Sequence, residues 1–175
     1  MNGFLSDKLH TPVSRQTRWL AELERAMDAV LTAIDPKDIR MMVIDDQRTM
    51  RTIVRRLLHA GGVRSVSEAE NAMVALDKLR SGEIKEPDVV VCDLRMDEMD
   101  GLEFCNAVRR DQTVLKGSTP ILVLTGDDDP LIHEVIAQVG AAKVLLKPIS
   151  SVALIKEIET AIGFNVDVRA VGFGQ

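Results

Sequence analysis

Along this chain the apolar positions switch between two periods. Residues 41–44 (MMVI), 89–92 (VVVC), 121–124 (ILVL) and 144–146 (VLL) are short unbroken apolar runs. Runs without in-out alternation suit parallel strands covered on both faces. A weaker run, VRSVSEA at 63–69, fits an edge strand. Between these runs, apolar residues recur at spacings of three and four, the helical period. The sets are Met50, Ile53, Val54, Leu57 and Leu58; Ala72, Ala75, Leu76 and Leu79; Leu102, Cys105 and Val108; Leu131, Val135 and Ile136; and Val152, Ile155, Ile158 and Ile162, with Glu159 expected on the outer face. Five strands alternating with five helices predict a doubly wound, five-stranded parallel α/β sheet over residues 40–163. Asp129-Pro130 predicts a cap followed by proline in the first helical turn, and Gly82 and Gly140 stand where helices should stop.

An α/β sheet of this kind holds its ligand in the crevice at the carboxyl ends of its strands. The residues following each run therefore matter most. They are Asp45-Asp46 after MMVI, Asp93 after VVVC, Thr125-Gly126 after ILVL, and Lys147-Pro148 after VLL. Three acids, a hydroxyl and an amine converge. Carboxylates packed together repel one another and hold their protons harder. A hard divalent cation relieves that repulsion, and a site with few protein oxygens suits Mg²⁺ better than Ca²⁺. Metal, lysine and hydroxyl together make a clamp for a phosphoryl group. One carboxylate can then act as nucleophile, and Asp93, ending the central apolar run, is the candidate.

Composition narrows the setting. The chain has 175 residues, 46% hydrophobic and 28% charged, which fits one soluble domain with an appendage. Aromatics make up 3%, so the core is expected to be aliphatic. The net charge of -5 argues against a nucleic-acid or anionic-membrane surface. No apolar stretch reaches the ~18 residues of a membrane span, and the opening MNGFLSDKLH does not read as a signal peptide. Cys92 and Cys105 form no CxxC pair and are expected to be buried thiols of a cytoplasmic protein.

The set Asp45-Asp46, Asp93, Thr125 and Lys147-Pro148 resembles the receiver domain of two-component response regulators. The stretch DDQRTMRTIVRRLL (45–58) is most similar to chemotaxis-type single-domain receivers, and the loop DLRMDEMDG (93–101) resembles the family's loop after its phosphorylated aspartate. The resemblance implies that Asp93 accepts a phosphoryl group from a histidine kinase or phosphotransfer protein. It implies Mg²⁺ bound by Asp46, Asp93 and the backbone carbonyl of Arg95, with Asp45 acting mostly through water. Thr125 and Lys147 would hold the phosphoryl oxygens, and Lys147-Pro148 would be cis. Arg95 and Asp127 take the two positions that flank the phosphoryl group and tune its lifetime. Their opposite charges are expected to pair across the site mouth. The chain departs from the family at Asp97, where proline is usual, and at Val144, where an aromatic is usual. The implied output is altered protein binding or onward phosphotransfer. A scaffold on a receiver fold, with phosphorylation secondary, is the alternative that Val144 and an extra N-terminal helix keep open.

Other readings of these residues are weaker. Asp45-Asp46 alone would be a helix cap before Gln47, but not with an acid and a lysine ending neighbouring strands. Asp127-Asp128-Asp129 reads as loop and cap, and Glu98 and Asp100 as loop, with Asp100 capping the next helix. An EF-hand fails, because the first ligand would be Met96 and the last Ala107. A dehalogenase-type phosphatase needs an acid where Arg95 stands, and no GxxxxGK loop exists. His10, His59 and His133 show no ligand spacing and are expected to be solvated.

Residues 1–39 form an expected N-terminal extension and 164–175 a short tail. From about Ser14 the extension reads helical. Leu20, Leu23, Met27, Val30 and Ile34 follow heptad spacing, and Asp35-Pro36 ends the pattern. A lone helix of this length is marginal in water, so its stripe must be buried. The a/d-like spacing favours pairing with a second copy; packing on its own domain is the other solution.

Overall fold

The computed structural model describes residues 34–163. Leu20, Leu23, Met27, Val30 and the 164–175 tail lie outside the described residues. Ile34 is within them, half-buried, and packs on the core.

After a 3-10 turn at Pro36–Asp38, five strands alternate with five helices. They are β1 (Arg40–Ile44), α1 (Arg48–Ala60), β2 (Ser65–Ala69), α2 (Ala72–Arg80), β3 (Val89–Asp93), α3 (Gly101–Arg110), β4 (Ile121–Thr125), α4 (Pro130–Gln138), β5 (Lys143–Leu146) and α5 (Ser151–Ile162). All pairings are parallel, in the order β2-β1-β3-β4-β5. The order reverses between β1 and β3, which is where such a sheet opens its crevice.

Alternate residues of the inner strands feed two cores. Met41, Val43, Val89, Val91, Leu122 and Leu124 meet Val54 and Leu58 of α1 and Leu154, Ile155 and Ile158 of α5. Met42, Ile44, Val90, Cys92, Ile121 and Val123 meet α2, α3 and α4, with Phe104 and Ile136 fully buried. Each such side chain contributes about 1.5–3 kcal/mol by burial. This explains why β1, β3 and β4 read as unbroken apolar runs. Cys92 and Cys105 are buried free thiols.

Five expected positions differ, the first being Ile53 of α1, which is exposed. The run at 144–146 belongs to an edge strand rather than one covered on both faces: Leu145 is buried, but Leu146 is exposed. On α4 the buried residue is Ile136, with Ile132 beside the core, while Leu131 is 70% exposed and Val135 is exposed. On α5 the inner face is Leu154, Ile155 and Ile158, and Val152 is 77% exposed. Both helices carry apolar residues on more than one side, and a spacing of three or four holds for either face.

Caps and breaks follow local chemistry. The Asp129 side chain accepts from Leu131 N–H, with Pro130 opening α4. Asp100 and Glu103 form a reciprocal capping box at α3. Gly82 and Gly140 have positive φ just beyond α2 and α4. Arg109, at the end of α3, donates to the carbonyls of Gly140 and Thr119, tying α3 to the turns before β5 and β4.

Candidate functional site

Strand register delivers the site. Ile44 is level with Cys92, Asp93 with Leu124, and Thr125 with Leu146. Asp45, Asp93, Thr125 and Lys147 therefore emerge at one edge of the sheet. Asp93 is the last residue of β3 and is buried, as is Asp45 just after β1, whereas Asp46 is exposed. One carboxylate oxygen from each of the three lies within 4.8 Å of the others.

The β1–α1 turn is braced from two sides. Asp45 Oδ1 accepts from Gln47 N–H at 2.8 Å. Gln47 is the N-cap of α1 but makes no side-chain cap bond, so the acid pair serves the turn and the crevice instead. Arg51 Nη1 donates to the carbonyls of Asp45 (2.7 Å) and Asp46 (3.2 Å), while its Nε pairs with Glu68 on β2. Sequence reasoning missed Arg51, because a contact to backbone carbonyls leaves no residue pattern.

Lys147 enters from β5, with its N–H held by the Thr125 carbonyl at 2.8 Å and a cis bond to Pro148. Its ammonium lies 2.5 Å from Asp93 Oδ1 and 3.4 Å from Asp45 Oδ2. Burial works to lower the ammonium pKa. The hydrogen bond to Asp93 and the charges of Asp93 and Asp45 outweigh it and leave the group above its ordinary value. Burial also raises the Asp45 carboxyl. The Gln47 N–H opposes that rise, and the neighbouring Asp93 charge adds to it.

Thr125 is buried, and its hydroxyl oxygen accepts from Asp127 N–H at 3.0 Å, which leaves its own proton for another acceptor. Asp127 Oδ2 accepts from Arg95 Nη2 at 2.8 Å, so the two flanking residues pair across the mouth. His133 is half-buried rather than fully solvated, and its Nε2 lies 2.9 Å from the Asp127 carbonyl. In the loop after Asp93, Glu98 has φ 68° and Gly101 N–H donates to the Leu94 carbonyl. A Cβ on Gly101 would meet the Asp93 carbonyl oxygen at 2.5 Å, so the return of this loop requires glycine. Val144 is half-buried against the α2–α3–α4 core.

Three carboxylates face one ammonium, a surplus of negative charge matching a divalent cation. The donors are all hard oxygens, two on rigid strand ends and one open to solvent. This set fits Mg²⁺ with several retained waters.

A family model of the response regulator receiver domain matches residues 41–159. Chemotaxis protein CheY-3 of Vibrio cholerae is 29% identical over 135 residues, 76% of this chain and 95% of that protein. A protein-glutamate methylesterase/protein-glutamine glutaminase of Halobacterium salinarum is 37% identical over 110 residues, which cover 61% of this chain but 29% of that protein. Among solved structures, Vibrio cholerae CheY4 matches with a TM-score of 0.63 at 30% identity, covering 70% of this chain and 98% of its own. The receiver domain of sensor histidine kinase PA1611 from Pseudomonas aeruginosa PAO1, with magnesium in its active-site cleft, shares the fold with a TM-score of 0.61 at 23% identity, covering 71% of this chain and 98% of that one. Sequence, topology and strand-end residues agree: the chain belongs to the response regulator receiver domain family and is a CheY-like receiver of two-component signalling.

Proposed function

We propose that Asp93 is phosphorylated by a histidine kinase or phosphotransfer protein. A carboxylate oxygen of Asp93 forms the new O–P bond as the P–N bond of phosphohistidine breaks. The electron pair returns to the leaving imidazole. Lys147 and Thr125 donate to the phosphoryl oxygens. Asp46, Asp93 and the Arg95 carbonyl would hold Mg²⁺, with Asp45 acting through water. When bound, the ion offsets negative charge on the transferring group. Later attack of water on phosphorus releases phosphate and restores the carboxylate. The protein thus catalyses only its own phosphorylation and dephosphorylation.

The observation that carries this reading is the Lys147 ammonium on Asp93, with Asp45 and Asp46 alongside. Output runs through binding of a downstream protein or onward phosphotransfer. Exposed Leu131, Val135, Leu146 and Val152 supply apolar surface for such a partner. The 1–39 extension pairs two copies of the chain through Leu20, Leu23, Met27 and Val30 of its heptad seam, Ile34 being taken up instead by the core of its own domain. The site acts in the cytoplasm; no described helix is long and apolar enough to cross a membrane.

Incubation with acetyl phosphate and Mg²⁺ tests the reading by intact mass. Wild type gains one phosphoryl group, and Asp93→Asn gains none. If wild type gains none from small donors or from any kinase, the scaffold alternative stands in its place. Sedimentation of the full chain against a chain starting at Lys37 tests the pairing; equal monomeric behaviour overturns it.

A further inference from the structure

We propose that His133 is a positioning residue that holds Asp127, and through it the Arg95 guanidinium, across the mouth of the site. The inference rests on phosphorylation of Asp93. The Arg95–Asp127 pair is the only described ion pair bridging the β3–α3 and β4–α4 loops, and the Arg95 side chain is 74% exposed. An exposed pair of this kind is weak by itself. Its persistence depends on how firmly Asp127 is fixed. Asp127 makes four hydrogen bonds: its N–H donates to Thr125 Oγ1, its Oδ1 accepts from Asp129 N–H, its Oδ2 from Arg95, and its carbonyl from His133 Nε2. Two of these are with near neighbours in sequence, Thr125 at the end of β4 and Asp129 before α4. Only His133 ties Asp127 to a helix, where His133 N–H in turn donates to the Asp129 carbonyl. A carbonyl has no proton to give, so the ring carries its proton on Nε2 and donates it.

Hydrolysis of an aspartyl phosphate needs water to reach phosphorus through the mouth that Arg95 and Asp127 span. Loss of the His133 tether frees Asp127, loosens Arg95 and admits water more often. Wild type, His133→Ala, His133→Gln, Arg95→Ala and His133→Ala/Arg95→Ala are phosphorylated with acetyl phosphate and Mg²⁺. The donor is then removed and loss of the phosphoryl group is followed by intact mass. His133→Ala and Arg95→Ala each speed hydrolysis about threefold to tenfold, the value of one hydrogen bond. The double variant is no faster than Arg95→Ala, because both changes remove the same closure. His133→Gln, whose amide can still donate to the carbonyl, restores a slow rate, which a purely structural loss would not allow. The proposal is overturned if His133→Ala hydrolyses at the wild-type rate, if the two effects add fully, or if Arg95→Ala is without effect. Failure of wild type to gain a phosphoryl group overturns the phosphorylation reading itself and this inference with it, an outcome distinct from a phosphorylated wild type with an unaltered variant.

Discussion

The Lys147 ammonium hydrogen-bonds the Asp93 carboxylate at 2.5 Å, joining residues 54 apart in sequence. The contact sets opposite expectations for its two partners. Lys147→Met leaves Asp93 and Asp45 facing each other without a cation and lowers stability by about 1–3 kcal/mol in magnesium-free buffer. Asp93→Asn keeps an acceptor for the ammonium and removes one of the repelling charges, so its midpoint is unchanged or higher. Urea unfolding of the two variants checks this. Equal loss in both would mean that the pair, and not carboxylate repulsion, dominates the site.

Magnesium is expected to stabilise the fold through the same cluster. An ion that binds only the native state adds about 2.7 kcal/mol at a hundredfold excess over its dissociation constant. Thermal melts with rising Mg²⁺ therefore climb in wild type. Asp46→Asn, an exposed position, leaves the magnesium-free midpoint in place and flattens the climb. A climb of equal size in the variant would remove Asp46 from the ligand set.

Gly101 and Gly126 give a paired test of crowding beside the site. At Gly101 a Cβ would press on the Asp93 carbonyl oxygen at 2.5 Å and the Leu94 Cα at 3.1 Å, both backbone atoms. Gly101→Ala then costs about 1–3 kcal/mol and slows phosphorylation by displacing Asp93. At Gly126 nothing lies within 4 Å, and Gly126→Ala changes stability by no more than about 0.5 kcal/mol. Chemical denaturation measures both.

The buried thiols fix the alkaline limb of stability. Burial raises the Cys105 thiol to about 11, with nearby Arg109 opposing the rise, and burial carries Cys92 well above the ordinary thiol value. An unfolded thiol ionises near 8.5. Between these values the unfolded chain has lost protons that the folded one keeps, so stability falls as pH rises. The contribution is whole below about pH 8.5 and is lost as pH rises through about 11. Cys105→Ala should lower stability at pH 7 yet show a shallower decline from pH 8.5 upwards. In native protein both thiols resist Ellman's reagent at neutral pH.

The parts legible in sequence were those set by a single rule. Where a strand is buried on both faces, as at 89–92, the apolar run marks it and the next polar residue marks the crevice. That rule alone brings Asp45, Asp46, Asp93, Thr125 and Lys147 to one edge. At β5 it finds the strand and Lys147 after it but overstates the burial, since β5 is an edge strand and Leu146 is exposed. It is silent on Arg51 and His133, whose partners are backbone carbonyls. Any residue type supplies a carbonyl, so only the folded turn reveals those contacts.

The outward sides of α4 and α5 show how far periodicity can mislead, and they can be tested directly. Leu131 and Val152 fit the helical spacing as well as Ile136 and Ile158 do, yet only the second pair is fully buried. Ile136→Ala and Ile158→Ala each remove packed side-chain volume and cost about 2–5 kcal/mol. Leu131→Lys and Val152→Lys place charge where water already reaches, and each shifts stability by no more than about 0.5 kcal/mol. Urea midpoints of the four variants separate the faces. A large loss in Leu131→Lys with the domain alone would mean that this side is covered in solution, and sedimentation of the same samples would show whether a second copy covers it.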